Sequence, residues 1–297
     1  MNHVPVLQKE TIQYLDPKTN ENFIDCTLGG GGHTLAILEK NEPKGKVLSI
    51  DADQEIIKNF ESGTSTKEFK KRLTLVNDNF ANLKEIVRRE KFTKVSGILF
   101  DLGMSSWHLE TSGRGFSFLK QEPLDMRYDP KGPLTARKIV NFWSEPEIER
   151  ILREFGEEKF SQMIAQEIVR ERNVRAIEST YQLVNVIRRA VPSGYLHQKI
   201  HFATRTFQAL RIAVNDELNN LEKALPQTLE TVNRQGRIVV ISFHSLEDRI
   251  VKNFFKQKVK ENILQALNKK PITPSREEIR INPRSRSAKL RAAIKIQ

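Results

Sequence analysis

The chain has 297 residues, 38% of them apolar and 29% charged, with a mean hydropathy of −0.50, a composition that excludes fibrous and membrane-embedded classes. No apolar run approaches the roughly 20 residues that span a bilayer, and the start, Met1-Asn2-His3-Val4-Pro5, lacks the basic-then-apolar pattern of a signal peptide. The single cysteine, Cys26, excludes an intrachain disulfide or a cysteine zinc site and fits a reducing cytosol. The net charge of +12 is unevenly spread: residues 249–297 hold 14 basic and 3 acidic groups, so nearly all the excess sits there. Such a segment is either a polyanion-binding end or a solvated basic tail.

Taken in order, the first hundred residues alternate between strands and helices. Phe23–Leu28 reads as a strand that runs into Gly29-Gly30-Gly31-Gly32, and helix formers resume from His33 to Lys40. Strands are predicted at 46–50, 72–76 and 95–100, with helices at 53–60 and 80–89 between them. This is the βαβ pattern of a parallel sheet, which places ligands beyond the carboxyl ends of its strands. From Gly103 to about Asp129 the sequence is loop-like. Helices follow at 138–153, 159–172, 180–190 and, across Pro226, 203–233. A strand returns at 237–243, then a long helix at about 246–267, with short strand candidates around Ile279 and at 292–296. The expected organisation is an α/β domain, residues 1–107 and 206–297, interrupted by a helical insertion at 108–205.

Four glycines between a strand and a helix let backbone pass close to a ligand at the helix N-terminus. Gly30 and Gly32 fit a dinucleotide fingerprint, but Leu35 stands where its third glycine belongs, which argues against NAD. Asp51, at the end of the second strand, is where such folds place an acid for ribose hydroxyls. Phe80 and Asp101 follow the third and fourth strands and suit an adenine-bearing ligand; Phe80 is equally an ordinary helix-start packing residue. His33 is a ligand-facing group or a cap, and Cys26 reads as a packing residue. No H-x-x-x-H or H-E-x-x-H pair occurs, so no metal is implied, and no Lys-Ser or Lys-Thr completes a Walker loop.

Eight segments in order resemble the bacterial ribosomal RNA small subunit methyltransferase H (MraW) family: HVPVL (3–7), DCTLGGGGHT (25–34), DLGMSS (101–106), RGFSF (114–118), PLDMR (123–127), ATRTFQALRIAVNDEL (203–218), VISFHSLEDRIVK (240–252) and NPRSRSAKLR (282–291). The resemblance spans essentially the whole chain and is far more specific than a glycine turn alone. It implies a class I S-adenosylmethionine-dependent methyltransferase, a Rossmann-like, mostly parallel sheet with an inserted helical domain for RNA recognition. It also implies N4-methylation of a cytidine in the decoding region of 16S rRNA, within the small ribosomal subunit in the cytoplasm, with no metal and no membrane partner. It assigns no oligomeric state.

The cofactor positions that carry over are Gly31, Gly32, His33, Asp51, Phe80, Asp101 and His108. The family usually has Gln where His108 stands, and Trp107-His108 also reads as a loop packed on the insertion. The DNA amino-methyltransferase motif D/N/S-P-P-Y/F is replaced here by Asp101-Leu102-Gly103-Met104. Asp101 is therefore a candidate for cofactor, for the N4 proton, or for both. His244 is a second catalytic candidate; its alternative is a strand-to-helix turn capped by Ser245 with Asp248 three residues on. Arg114, between glycines and next to two aromatics, is expected either to hold RNA or to belong to a lid. Arg284, Arg286 and Arg291 are expected to neutralise phosphates or, in an outer strand, to pair with surface acids.

Overall fold

In a computed structural model, which describes residues 5–63 and 68–297, alternation of apolar residues builds a seven-stranded sheet covered on both faces. The strands are β1 (Asn22–Asp25), β2 (Val47–Asp51), β3 (Leu73–Asn77), β4 (Val95–Asp101), β5 (Val232–Ser242), β6 (Leu264–Ala266) and β7 (Lys289–Lys295), in spatial order β3-β2-β1-β4-β5-β7-β6. The first five are parallel to their neighbours; β7 enters antiparallel between β5 and β6. This is the class I methyltransferase sheet that the resemblance implies.

Side chains alternate across it. Ile24, Leu48, Ile50, Ile98, Phe100, Ile238 and Val240 join one core, and Phe23, Val47, Leu99, Val239 and Ile241 the other. Helices α1 (Gln8–Leu15) and α2 (Gly32–Lys40) supply Leu15, Ile37 and Leu38 to the second core. The opposite face is closed by residues of three helices, while α3 (Gln54–Glu61), which buries Ile56 and Ile57, links β2 to β3. Leu83 and Ile86 come from α4 (Leu83–Arg89), which follows a 3-10 turn at Phe80–Asn82.

The chain divides into two units: residues up to Ser105 with Leu218–Gln297, and Ser106–Glu217. The second holds α5 (Ser106–Glu110), α6 (Ala136–Phe142), α7 (Glu145–Gly156), α8 (Ser161–Val174), α9 (Thr180–Ala190), α10 (Ser193–Leu196) and α11 (Thr204–Asn215). It reaches past residue 205 because α11 packs on α7: a Cβ on Gly156 would stand 2.7 Å from the Arg205 carbonyl. Two helices expected to be continuous are each broken. The 138–153 segment splits at Ser144, whose capping box with Glu147 starts α7. The 203–233 segment splits at Asp216, left-handed at φ 52°, before α12 (Glu217–Thr231), which accommodates Pro226. Leu221, Ala224 and Leu225 of α12 pack into the first core.

Near the C-terminal side, the expected long helix is shorter. α13 (Ser245–Lys260) adds Val251 and Phe255 to the core, and Asn262, at φ 56°, turns the chain into β6. The strand candidate around Ile279 is instead helix α14 (Arg276–Ile281), because Ser275 caps it by accepting from the Glu278 N–H. No helix of the described residues is long and apolar enough to cross a membrane.

Candidate functional site

The site is built where β1, β2 and β4 end side by side. Asp25 closes β1 and is buried. Its Oδ1 accepts from the Thr27 N–H at 3.1 Å and its Oδ2 from the Thr34 hydroxyl at 2.7 Å, which lies 2.7 Å from the Ser49 hydroxyl. Burial outweighs these bonds and raises the carboxyl pKa to about 6. Thr27 in turn accepts, through Oγ1, the Asp101 N–H at 2.7 Å, tying the end of β4 to the turn after β1.

Two positions of the glycine turn are shaped by contacts that leave no room for a side chain. Gly31 sits at φ +74° and a Cβ there would stand 1.9 Å from the Phe60 ring; at Gly32 it would stand 2.2 Å from Pro5. Asp51, ending β2, accepts from the Gly29 N–H and the Asp53 N–H, each at 2.9 Å. The carboxylate expected to meet a ligand thus also fixes the turn beneath it.

His33 lies in the first turn of α2, 5% exposed, with Nε2 3.5 Å from Asp101 Oδ2. That is an ion-pair separation: neither ring nitrogen, nor Asp101 Oδ1, has a hydrogen-bond partner although all are buried. Burial alone would lower the imidazole pKa, but the carboxylates of Asp101 and Asp25 raise it above its ordinary value. Phe80, half-buried after β3, meets Phe100 edge-on at 5.6 Å. Gly31, Gly32, His33, Asp51, Phe80 and Asp101 all belong to the sheet-bearing unit and lie on its strand-end segments. Orphaned buried polar atoms beside three carboxylates and a bare-backbone turn fit a ligand with hydroxyl groups and a positive charge. Asp25 was not singled out by spacing, although an acid inside the apolar run Phe23-Ile24-Asp25-Cys26 is itself a signal.

Other expected site residues are placed differently. His108 is in α5 of the second unit, its ring 4.9 to 5.4 Å from those of Trp107, Phe116 and Tyr128. Arg114 lies over Trp107 at 5.1 Å and donates to the carbonyls of Arg127 and Tyr128, so its guanidinium ties the loop together. His244 caps α13: its Nδ1 accepts from the Glu247 N–H at 3.4 Å, while Glu247 Oε2 accepts from the His244 N–H at 3.3 Å. The cap lies one residue earlier than the Ser245–Asp248 alternative. Asp248 is instead held by Arg291, whose Nε and Nη2 donate at 2.7 and 3.2 Å. Burial would raise the Asp248 carboxyl pKa, but Arg291 and Lys289 hold it below the ordinary value. Arg284 and Arg286 are exposed on the 3-10 turn Pro283–Ser287.

The family model described as the MraW methylase family matches residues 1–296. A ribosomal RNA small subunit methyltransferase H of Dehalococcoides mccartyi is 47% identical over 309 residues, covering 99% of this chain and 86% of that protein. The protein of the same name from Heliobacterium mobile is 45% identical, covering 99% of both. That from Symbiobacterium thermophilum is 42% identical, covering 100% of this chain and 97% of its own.

Proposed function

This chain belongs to the MraW methylase family, and on that premise we propose that it moves the methyl group of S-adenosylmethionine to the exocyclic N4 of a cytidine in the decoding region of 16S rRNA. The observation that carries the reading is the strand-end cluster of Asp51, Asp101 and His33 around a glycine turn with no room for a side chain at Gly31 or Gly32. The bound cofactor supplies an electrophilic methyl on a sulfonium. Asp51 accepts its ribose hydroxyls, Gly31 and Gly32 let it approach the backbone, and Phe80 offers a ring to the adenine.

Cytosine N4 is a poor nucleophile, because its lone pair is conjugated with the ring. The protein's task is to align it with the methyl group and accept the proton it sheds. Asp101 is the proposed acceptor, and the capping geometry of His244 gives that residue the task of holding the β5–α13 turn. The helical unit, residues 108–205 with α11, is proposed to recognise RNA, and Arg284 and Arg286 to hold its phosphates in the cytoplasmic small subunit.

Nucleoside mapping of small-subunit RNA by mass spectrometry, with and without the gene, tests the reading. One decoding-region cytidine should lose its N4-methyl group and regain it with the wild-type gene. Unchanged methylation overturns the proposal.

A further inference from the structure

Between Ser179 and Asn215 the chain has no Asp or Glu, yet it holds Arg188, Arg189, Lys199, Arg205 and Arg211 together with His197 and His201; the whole chain has 37 acids. Three of these cations are engaged within the helical unit. Arg189 pairs with Glu167 and Glu171, Arg211 with Glu217, and Arg205 donates to the Glu157 carbonyl. Arg188 and Lys199 are exposed and have no acidic partner among the described residues.

Beside Arg188, and two residues on from Lys199 in the chain, stands a column of rings. Phe118 stacks on His201 at 4.5 Å and 10°, and His201 on Phe202 at 4.2 Å and 28°. The Arg188 guanidinium lies 5.7 Å from the Phe202 centroid. His201 Nδ1 accepts the Ala203 N–H at 3.2 Å, so in the neutral ring of this exposed residue the proton sits on Nε2, which is then a donor. Burial, then the charge of Arg188, lowers the imidazole pKa below its ordinary value. The exposed run His197–His201 continues the surface, with Ile200 46% exposed.

We propose that this face, Arg188, Lys199 and His201 on the Phe118–Phe202 stack, docks single-stranded RNA: the two cations on phosphates, the imidazole N–H on a base edge or 2′-hydroxyl. It rests on the function proposed above and names the surface through which the substrate is held. Cations without acids, set among flat rings with a fixed donor, match the way splayed RNA is recognised. An acidic protein would need the cations alone.

The test is binding of a labelled decoding-region RNA fragment to the full chain across a salt series. Arg188→Gln with Lys199→Gln should lower affinity at least tenfold and flatten the salt slope by about 0.7 for each phosphate no longer neutralised. His201→Ala should lower affinity up to about tenfold with the slope kept, and His201→Phe, which keeps the ring column but not the N–H donor, should lower it to the same extent. Melting temperature and S-adenosylmethionine affinity should stay at wild-type values, and Lys199→Gln alone serves should the double variant unfold. If wild type binds RNA and every variant binds with the same affinity and slope, the docking surface is overturned while the proposed function stands. If wild type binds neither the RNA fragment nor assembled subunits, both fall. Loss of binding to assembled subunits with unchanged binding to naked RNA assigns the face to a protein and also overturns the inference.

Discussion

His33 Nε2 lies 3.5 Å from Asp101 Oδ2, inside a site where Asp101 Oδ1 and both imidazole nitrogens are buried without hydrogen bonds. Such atoms are costly to leave unmet, so they mark where a ligand's polar groups belong. Asp101→Asn keeps the shape and removes the charge. If Asp101 only holds cofactor, the variant should raise the apparent cofactor constant and leave turnover at saturation nearly intact. A drop in turnover at saturating cofactor assigns it the N4 proton as well. Wild-type values for both defeat either role.

Asp51→Ala removes an acceptor for ribose and also the anchor of the Gly29 and Asp53 N–H groups. A hydrogen bond to a charged group is worth about 1.5–3 kcal/mol, so S-adenosylmethionine affinity should fall at least tenfold. Calorimetry checks this; unchanged affinity in a folded variant removes Asp51 from the site.

Asp25 gives the protein a pH-dependent stability of definite sign. Burial raises its folded pKa from 3.8 to about 6, so the folded state holds the proton more tightly than the unfolded chain. Its contribution is fully present below pH 4 and is lost as pH rises through about 6. The loss amounts to about 3 kcal/mol. In Asp25→Asn the amide oxygen can accept from Thr27 and its NH2 donate to Thr34, so denaturant unfolding should lose this pH dependence. Parallel curves for variant and wild type between pH 4 and 7.5 would defeat the assignment.

The basic end separates into two roles. Arg291 is 13% exposed and paired with Asp248, so Arg291→Gln should cost about 3 kcal/mol of stability, read as a lower melting temperature. Replacing exposed Arg284 and Arg286 with Gln should instead weaken RNA binding and flatten its salt dependence. A salt slope unchanged in the Arg284/Arg286 variant removes them from the RNA-binding surface.

The parts of the site that were legible in the sequence are those whose signals are local. β1 to β4 are apolar runs with clear ends, and the acids and glycines stand at those ends, so Asp51 and Asp101 follow from spacing alone. What was not legible depends on a distant partner or on one dihedral angle. The left-handed turn at Asp216 breaks a segment whose composition is helical throughout. β6 is three residues long and exists because β7 pairs with it. Arg291 looks like any basic-tail residue until β7 brings it to Asp248. The extent of β5 was likewise hidden, because its register shifts between the pairings Val95–Val232 and Gly97–Arg237.

β7 lies beside β5 in the sheet although all of α13, β6 and α14 are made before it. Without residues 289–295 the five parallel strands would keep an open β5 flank, with Val239 and Ile241 lacking their Ala292 and Leu290 neighbours. An open edge of that kind is a template for wrong pairing. The same strand that silences it also draws Arg291 onto Asp248, so closing the sheet and neutralising the start of α13 depend on one and the same segment.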